Sequence, residues 1–98
     1  MLSTDELLFM IALTLAPYLL YHCSKFNQDI SVWNVAAARD IRWMFIGAED
    51  FDQNLCAWGD LLSNETLTSD AFTNTKCPLQ DAPNLTVTPA GPFCYPCD

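Results

Sequence analysis

Positive charge is scarce in this 98-residue chain: four Lys and Arg stand against twelve Asp and Glu, a formal net charge of −8. A surface of that sign repels phosphate backbones and offers no basic cluster whose binding would release counterions, which excludes nucleic acid as a partner. Charge of either sign is thin at 16%, while 51% of residues are apolar, so the chain is neither a disordered polar tract nor a long charged helix. There is one histidine, His22, with no Ser or Cys nucleophile context around it, and no triad can be assembled. Catalysis therefore has no visible carrier, and the sequence predicts a protein that is not an enzyme and needs no cofactor. Long hydrophobic runs are missing too. Residues 7–21 carry no charge but fall short of the roughly 20 residues that cross a bilayer comfortably. After the Ser3-x-x-Glu6 capping box they read as a short apolar helix, bent or ended by Pro17. This segment is either a buried helix or degenerate repeat at the end of a core, or a signal-like stretch. Met1–Glu6 has no Lys or Arg for a secretory leader, and membrane association through residues 7–21 stays open.

What the chain does have in excess is cysteine: Cys23, Cys56, Cys77, Cys94 and Cys97. That density fits an oxidising compartment, and the odd number leaves one thiol over. Proline is concentrated as well, with Pro78, Pro83, Pro89, Pro92 and Pro96 in the last stretch beside Gly91, which predicts an extended, irregular tail. The organisation that follows is an apolar segment over 1–22, a central region over 23–77 and a Pro/Cys-rich cap or tail over 78–98.

The central region repeats. Phe26-Asn27-Gln28-Asp29-Ile30-Ser31-Val32-Trp33 aligns with Phe51-Asp52-Gln53-Asn54-Leu55-Cys56-Ala57-Trp58 at an offset of 25, and Ile41 and Phe45 continue onto Leu67 and Phe72 as the offset grows. Each copy holds an aliphatic-x-x-Trp spacing, Ile30 to Trp33 with Val35, and Leu55 to Trp58. That is the form of a leucine-rich-repeat strand with Trp in its middle slot. Asp40–Phe45 and Leu67–Phe72 read as short helices or 3₁₀ turns, and Gly47 lets the chain reverse. Asn27, Asp29, Asp52 and Asn54 fall in turns whose backbone they can bond. The expected fold is an α/β repeat: a short leucine-rich-repeat solenoid of about two 25-residue units, with an N-terminal apolar helix and an irregular tail. Its expected core is Ile30, Trp33, Val35, Ile41, Phe45, Leu55, Trp58, Leu67 and Phe72.

The string Phe-Asn-Gln-Asp-Ile-Ser-x-Trp-Asn-Val, followed by Met-Phe-x-Gly-Ala, closely resembles the repeats of the BspA-like leucine-rich-repeat surface proteins, over Leu19 to about Thr75. The resemblance implies a secreted or cell-surface protein, in some members an adhesive one, whose ligand, a protein or a glycan, it does not name. Ala36-Ala37-Ala38-Arg39 departs from the polar residues usual in the family, and Asp60 replaces an apolar anchor. The function expected is a non-enzymatic, adhesion-type interaction module outside the cell or on its surface. The alternatives are a truncated repeat fragment without independent function and, with less support, a thiol oxidoreductase acting through Cys94 and Cys97.

Cys94-Tyr-Pro-Cys97 has the spacing of redox motifs but lacks the following helix that would lower a thiol pKa, so structural disulfides are the better reading. Cys56–Cys77 closing the last unit with Cys94–Cys97 as a local ring is the expected pairing; a bond from Cys77 to Cys94 or Cys97 competes, and Cys23 is left over. Zinc is disfavoured by the single C-x-x-C pair, and Asp50-x-Asp52-x-Asn54 fails as a calcium loop because Leu55 and Leu61 occupy the required Gly and Glu positions. No metal site is expected. Asn64-Glu65-Thr66 and Asn84-Leu85-Thr86 are glycosylation acceptors. Trp33 and Trp58 recur at a packing slot, whereas Trp43 has no aromatic counterpart and is the aromatic expected to reach a ligand.

Overall fold

Turns and irregular backbone make up nearly all of residues 20–98, the part of the chain that the computed structural model describes. The expected leucine-rich-repeat solenoid of strands and helices is not what these residues build. Among them there is no α-helix and no sheet, only a 3₁₀ helix at Cys56–Asp60 and isolated bridges at Asp40–Leu67, Asn84–Gly91 and Phe93–Tyr95. The apolar helix expected in 1–22 falls almost wholly on residues 1–19, outside the described residues; 20–22 form a turn.

The reason lies in what closes the aliphatic-x-x-Trp spacing. Trp33 N–H donates to Ile30 O at 3.1 Å and Trp58 N–H to Leu55 O at 2.9 Å, so each segment read as a strand is a turn closed between its first and fourth residues. The same bond recurs from Ala38 to Val35, Met44 to Ile41, Ala48 to Phe45, Phe51 to Ala48 and Ala71 to Thr68. Side chains at i and i+3 of such a turn point the same way, and a spacing of three therefore buries both ends without any strand. Short polar side chains hold the turns from outside. Asp29 accepts from Ser31 N–H, Asn34 from Ala36, Asp40 from Arg42, Asn54 from Cys56 and Asn84 from Thr86, each two residues on, in competition with any ladder.

Successive segments nevertheless lie side by side in parallel. N–H groups of Ile41, Trp43, Phe45 and Gly47 donate to the carbonyls of Leu67, Ser69, Ala71 and Thr73, and those of Leu20 and His22 to Met44 and Ile46. Side chains cross the same boundary: Asn27 Oδ1 accepts from Asp52 N–H and Gln53 Nε2, Trp58 Nε1 donates to Ile30 O at 3.1 Å, and Thr66 Oγ1 to Ala38 O at 3.0 Å. Positive φ falls at matching places, His22, Gly47 and Asn74, and again at Trp43 and Asp70. Gly47 has φ 77, and a Cβ there would collide with the His22 ring.

Between the segments runs a spine of rings, Phe26 on Phe51, Phe51 on Phe45, Phe45 on Phe72, and Phe72 edge-on to Phe93, with centroids 4.3 to 6.5 Å apart. Ile30, Trp33, Val35, Ile41, Phe45, Leu55, Trp58 and Phe72 are all buried as expected. Leu67 is the exception at 48% exposed. Leu67 bridges to Asp40, and the turn closed from Ala71 to Thr68, like the one from Met44 to Ile41, makes Thr68 the counterpart of Ile41, so the alignment was one residue off; buried Thr66 matches Ala38, whose carbonyl accepts its hydroxyl.

Candidate functional site

The tail carries the chain's chemistry-bearing cysteines and fastens them to the core. Cys56 bonds to Cys97 and Cys77 to Cys94, with Cα separations of 5.6 and 4.8 Å. This corrects the expected Cys56–Cys77 and Cys94–Cys97 pairs; the competing Cys77–Cys94 bond is the one that forms. Proximity along the chain favoured the local pairs, but the fold brings Phe93 and Cys94 back into the core. Both residues are fully buried, with Leu55 N–H on Phe93 O and Leu79 N–H on Cys94 O. Tyr95 O–H donates to Asp52 Oδ1 at 2.5 Å, and this hydrogen bond raises the phenol pKa because ionisation would destroy it. Cys94 and Cys97 are thus tied to different partners and do not form the internal disulfide on which C-x-x-C exchange depends. Cys23 lies in neither bond, and burial pushes its thiol pKa up.

Asp52 and Asn54, from the calcium-like run, are used as a tail acceptor and a turn cap respectively. Among the described residues no three His, Cys, Asp or Glu side chains converge to hold a metal ion. Both glycosylation acceptors are exposed. Asn64 sits in a turn beside a 310 Å³ groove between residues 36–39 and 63–66, whereas Asn84 Oδ1 already accepts from Thr86 N–H and Oγ1.

Trp43 is half-buried, in contrast to Trp33 and Trp58 at 2% and 0% exposed. It stands with two neighbours that sequence reading placed in a helix and did not single out. The Arg42 guanidinium lies over its ring at 4.9 Å, and Arg42 Nε and Nη2 donate to the two Asp40 carboxylate oxygens at 3.0 and 2.9 Å. That side-chain bond holds the Asp40 carboxyl below the usual carboxylate range. The Asp-x-Arg spacing was the available signal: Asp40 also accepts from Arg42 N–H, and the turn folds the guanidinium back onto its partner.

The family model described as "Mycoplasma protein of unknown function, DUF285" matches residues 13–84. The chain belongs to the DUF285 family. The DUF285 match takes in the aromatic spine up to Phe72 and the cysteines at 56 and 77. It stops short of Cys94 and Cys97, so both disulfides join the DUF285 region to residues beyond it. No curated protein and no solved structure matches the chain. Disulfides of this kind persist in an oxidising environment. Among the described residues no helix is long and apolar enough to cross a membrane.

Proposed function

We propose that this DUF285 chain is a non-enzymatic, adhesion-type interaction module, secreted or displayed on the cell surface like the adhesive members of the BspA-like proteins it resembles, with a protein or glycan as its partner. The observation that carries the reading is the pair of disulfides. They fix an otherwise irregular tail across the core, and such bonds are stable outside the cytosol. The Phe26-Asn27-Gln28-Asp29 string and its variant Phe51-Asp52-Gln53-Asn54 support kinship with the BspA-like proteins, and the acidic surface keeps the module soluble and away from nucleic acid.

The test uses beads coated with the oxidised chain and plates coated with cell-envelope material, one portion digested with protease and another oxidised with periodate to destroy vicinal diols. The reading predicts that untreated plates hold the beads and that one of the two treatments abolishes retention, which also sorts protein from glycan partners. Retention no better than that of beads carrying the reduced and alkylated chain would overturn it.

A further inference from the structure

We infer that Asn64 and Asn84 both carry N-linked oligosaccharide and that the fold separates them in time: Asn64 accepts its glycan only before its turn closes onto the core, whereas Asn84 also accepts one in the folded protein. Like the proposed function, this rests on the reading of the chain as an external module, and it names a modification that such a module acquires during export.

Each asparagine opens an Asn-x-Thr triplet, and both are exposed. In the transfer the side-chain amide nitrogen attacks C1 of a saccharide held on a polyprenyl diphosphate. The C1–O bond to the diphosphate breaks, the polyprenyl diphosphate leaves, and the amide gives up one proton. Among the described residues neither Asn64 Nδ2 nor Asn84 Nδ2 donates a hydrogen bond, so the reacting atom is free in each. The difference lies in the third residue. The acceptor triplet requires a hydroxyl there, so the transferase must reach it.

Thr66 withholds its hydroxyl. Oγ1 donates to Ala38 O at 3.0 Å across the boundary between segments, and the residue is 8% exposed. The fold imposes that direction: Thr66 N–H closes a turn on Ser63 O just as Ala38 N–H closes one on Val35 O in the preceding unit, and Ala38 is buried too. The fourth residue of this turn faces the core in both units, while the two middle residues, Ala36 and Ala37 in one, Asn64 and Glu65 in the other, face solvent. A transferase reaches the Thr66 hydroxyl only by pulling it from Ala38 O, which breaks a buried bond. A glycan already present on Asn64 leaves that bond intact, and the 310 Å³ groove beside the turn has room for its first sugar.

Asn84-Leu85-Thr86 is arranged the other way. Thr86 is exposed, and its N–H and Oγ1 both turn back on Asn84 Oδ1 at 2.9 and 2.7 Å, so the triplet bonds within itself and its hydroxyl holds nothing in the core. Paired backbone bonds between Asn84 and Gly91 close a surface loop over 85–90, which lies inside the ring of the Cys77–Cys94 disulfide. Oxidation and folding therefore leave this triplet presented on a loop.

The test compares the full oxidised chain with the same chain reduced and alkylated. Each is given a purified single-subunit eukaryotic oligosaccharyltransferase and a synthetic polyprenyl diphosphate carrying chitobiose, and occupancy is read by peptide mass mapping. The oxidised chain is expected to take sugar at Asn84 and the opened chain at both sites. The ratio of initial rates, Asn84 over Asn64, should fall at least about tenfold on opening, because in the folded chain Asn64 reacts only through local unfolding. Comparable rates at the two sites of the oxidised chain, no transfer to its Asn84, or no transfer to Asn64 of the opened chain would overturn the inference. In protein taken from its native cells, peptide N-glycosidase in heavy-oxygen water should convert both asparagines to labelled aspartate. Bonded cysteines with either asparagine bare would refute the inference while leaving the external module standing; free cysteines would strike at the module itself.

Discussion

Removing the disulfides one at a time should expose how little the turn-built core holds by itself. The Cys56–Cys97 bond spans a sequence separation of 41 and Cys77–Cys94 one of 17. Loop-closure entropy assigns about 4 and about 3 kcal/mol to these two bonds at 25 °C. Alanine pairs are the right replacement, because Cys77 and Cys94 are buried at 4% and 0% exposure and serine would add hydroxyls without partners. The gaps left at that buried pair add about 1 kcal/mol, bringing the two losses close together. A domain of this size has a total stability toward the low end of about 5–15 kcal/mol. Each single loss should leave a folded but marginal protein, and loss of both should leave it unfolded at 25 °C. Urea titration followed by tryptophan fluorescence reads this directly, since Trp33 and Trp58 are buried in the native state. A shift below about 1 kcal/mol in either single variant, or a cooperative transition in the double variant, would show that the core stands without its clamps and refute the reasoning.

Three further outcomes test the packing in detail. Trp58→Phe keeps the ring but strips the Nε1 donor from Ile30 O, at an expected cost of about 1–3 kcal/mol in urea titration, against about 3–5 kcal/mol for Trp58→Ala. Gly47→Ala is strained at φ 77 and collides with the His22 ring; it should cost more than about 1 kcal/mol, and His22→Ala in the same chain should recover part but not all of it, leaving the backbone share. Asp40 titrates below its unfolded value because Arg42 bonds its carboxylate, so its contribution is present above the ordinary carboxylate pKa and is lost as the pH falls through the lower folded value. Asp40→Asn should therefore be destabilised near pH 6 by about 0.5 kcal/mol, as for a partly exposed pair, with the difference from wild type vanishing in strong acid.

Burial was far more legible in the sequence than secondary structure. The positions Ile30, Trp33, Leu55 and Trp58 could be read as core because their apolar character and spacing recur, and burial follows from those two facts under more than one backbone geometry. The geometry itself could not be read the same way. An apolar pair three residues apart serves a repeat strand or a turn closed from i to i+3, and the density of Asp and Asn caps beside the pairs, at 29, 34, 40 and 54, is what tips the chain to turns. Leu67 was misplaced because alignment by apolar type set it against Ile41, whereas the turns closed at Met44 and Ala71 make the polar Thr68 the counterpart of Ile41 and leave Leu67 opposite Asp40. The disulfide partners depended on the tail returning Phe93 to the core, a long-range event that local spacing does not encode. The Asp40–Arg42–Trp43 cluster was hidden for a related reason: as a helix those residues would point apart, and the turn folds them together.

The most direct test of the account is a non-reducing peptide map of the protein taken from its native cells with free thiols alkylated at lysis. The account predicts two cross-linked peptide pairs, Cys56 with Cys97 and Cys77 with Cys94, and alkylation confined to Cys23. Recovery of Cys56, Cys77, Cys94 and Cys97 as alkylated thiols would contradict the external, oxidising location, and recovery of Cys56–Cys77 with Cys94–Cys97 would contradict the fold in which the tail is clamped across the core.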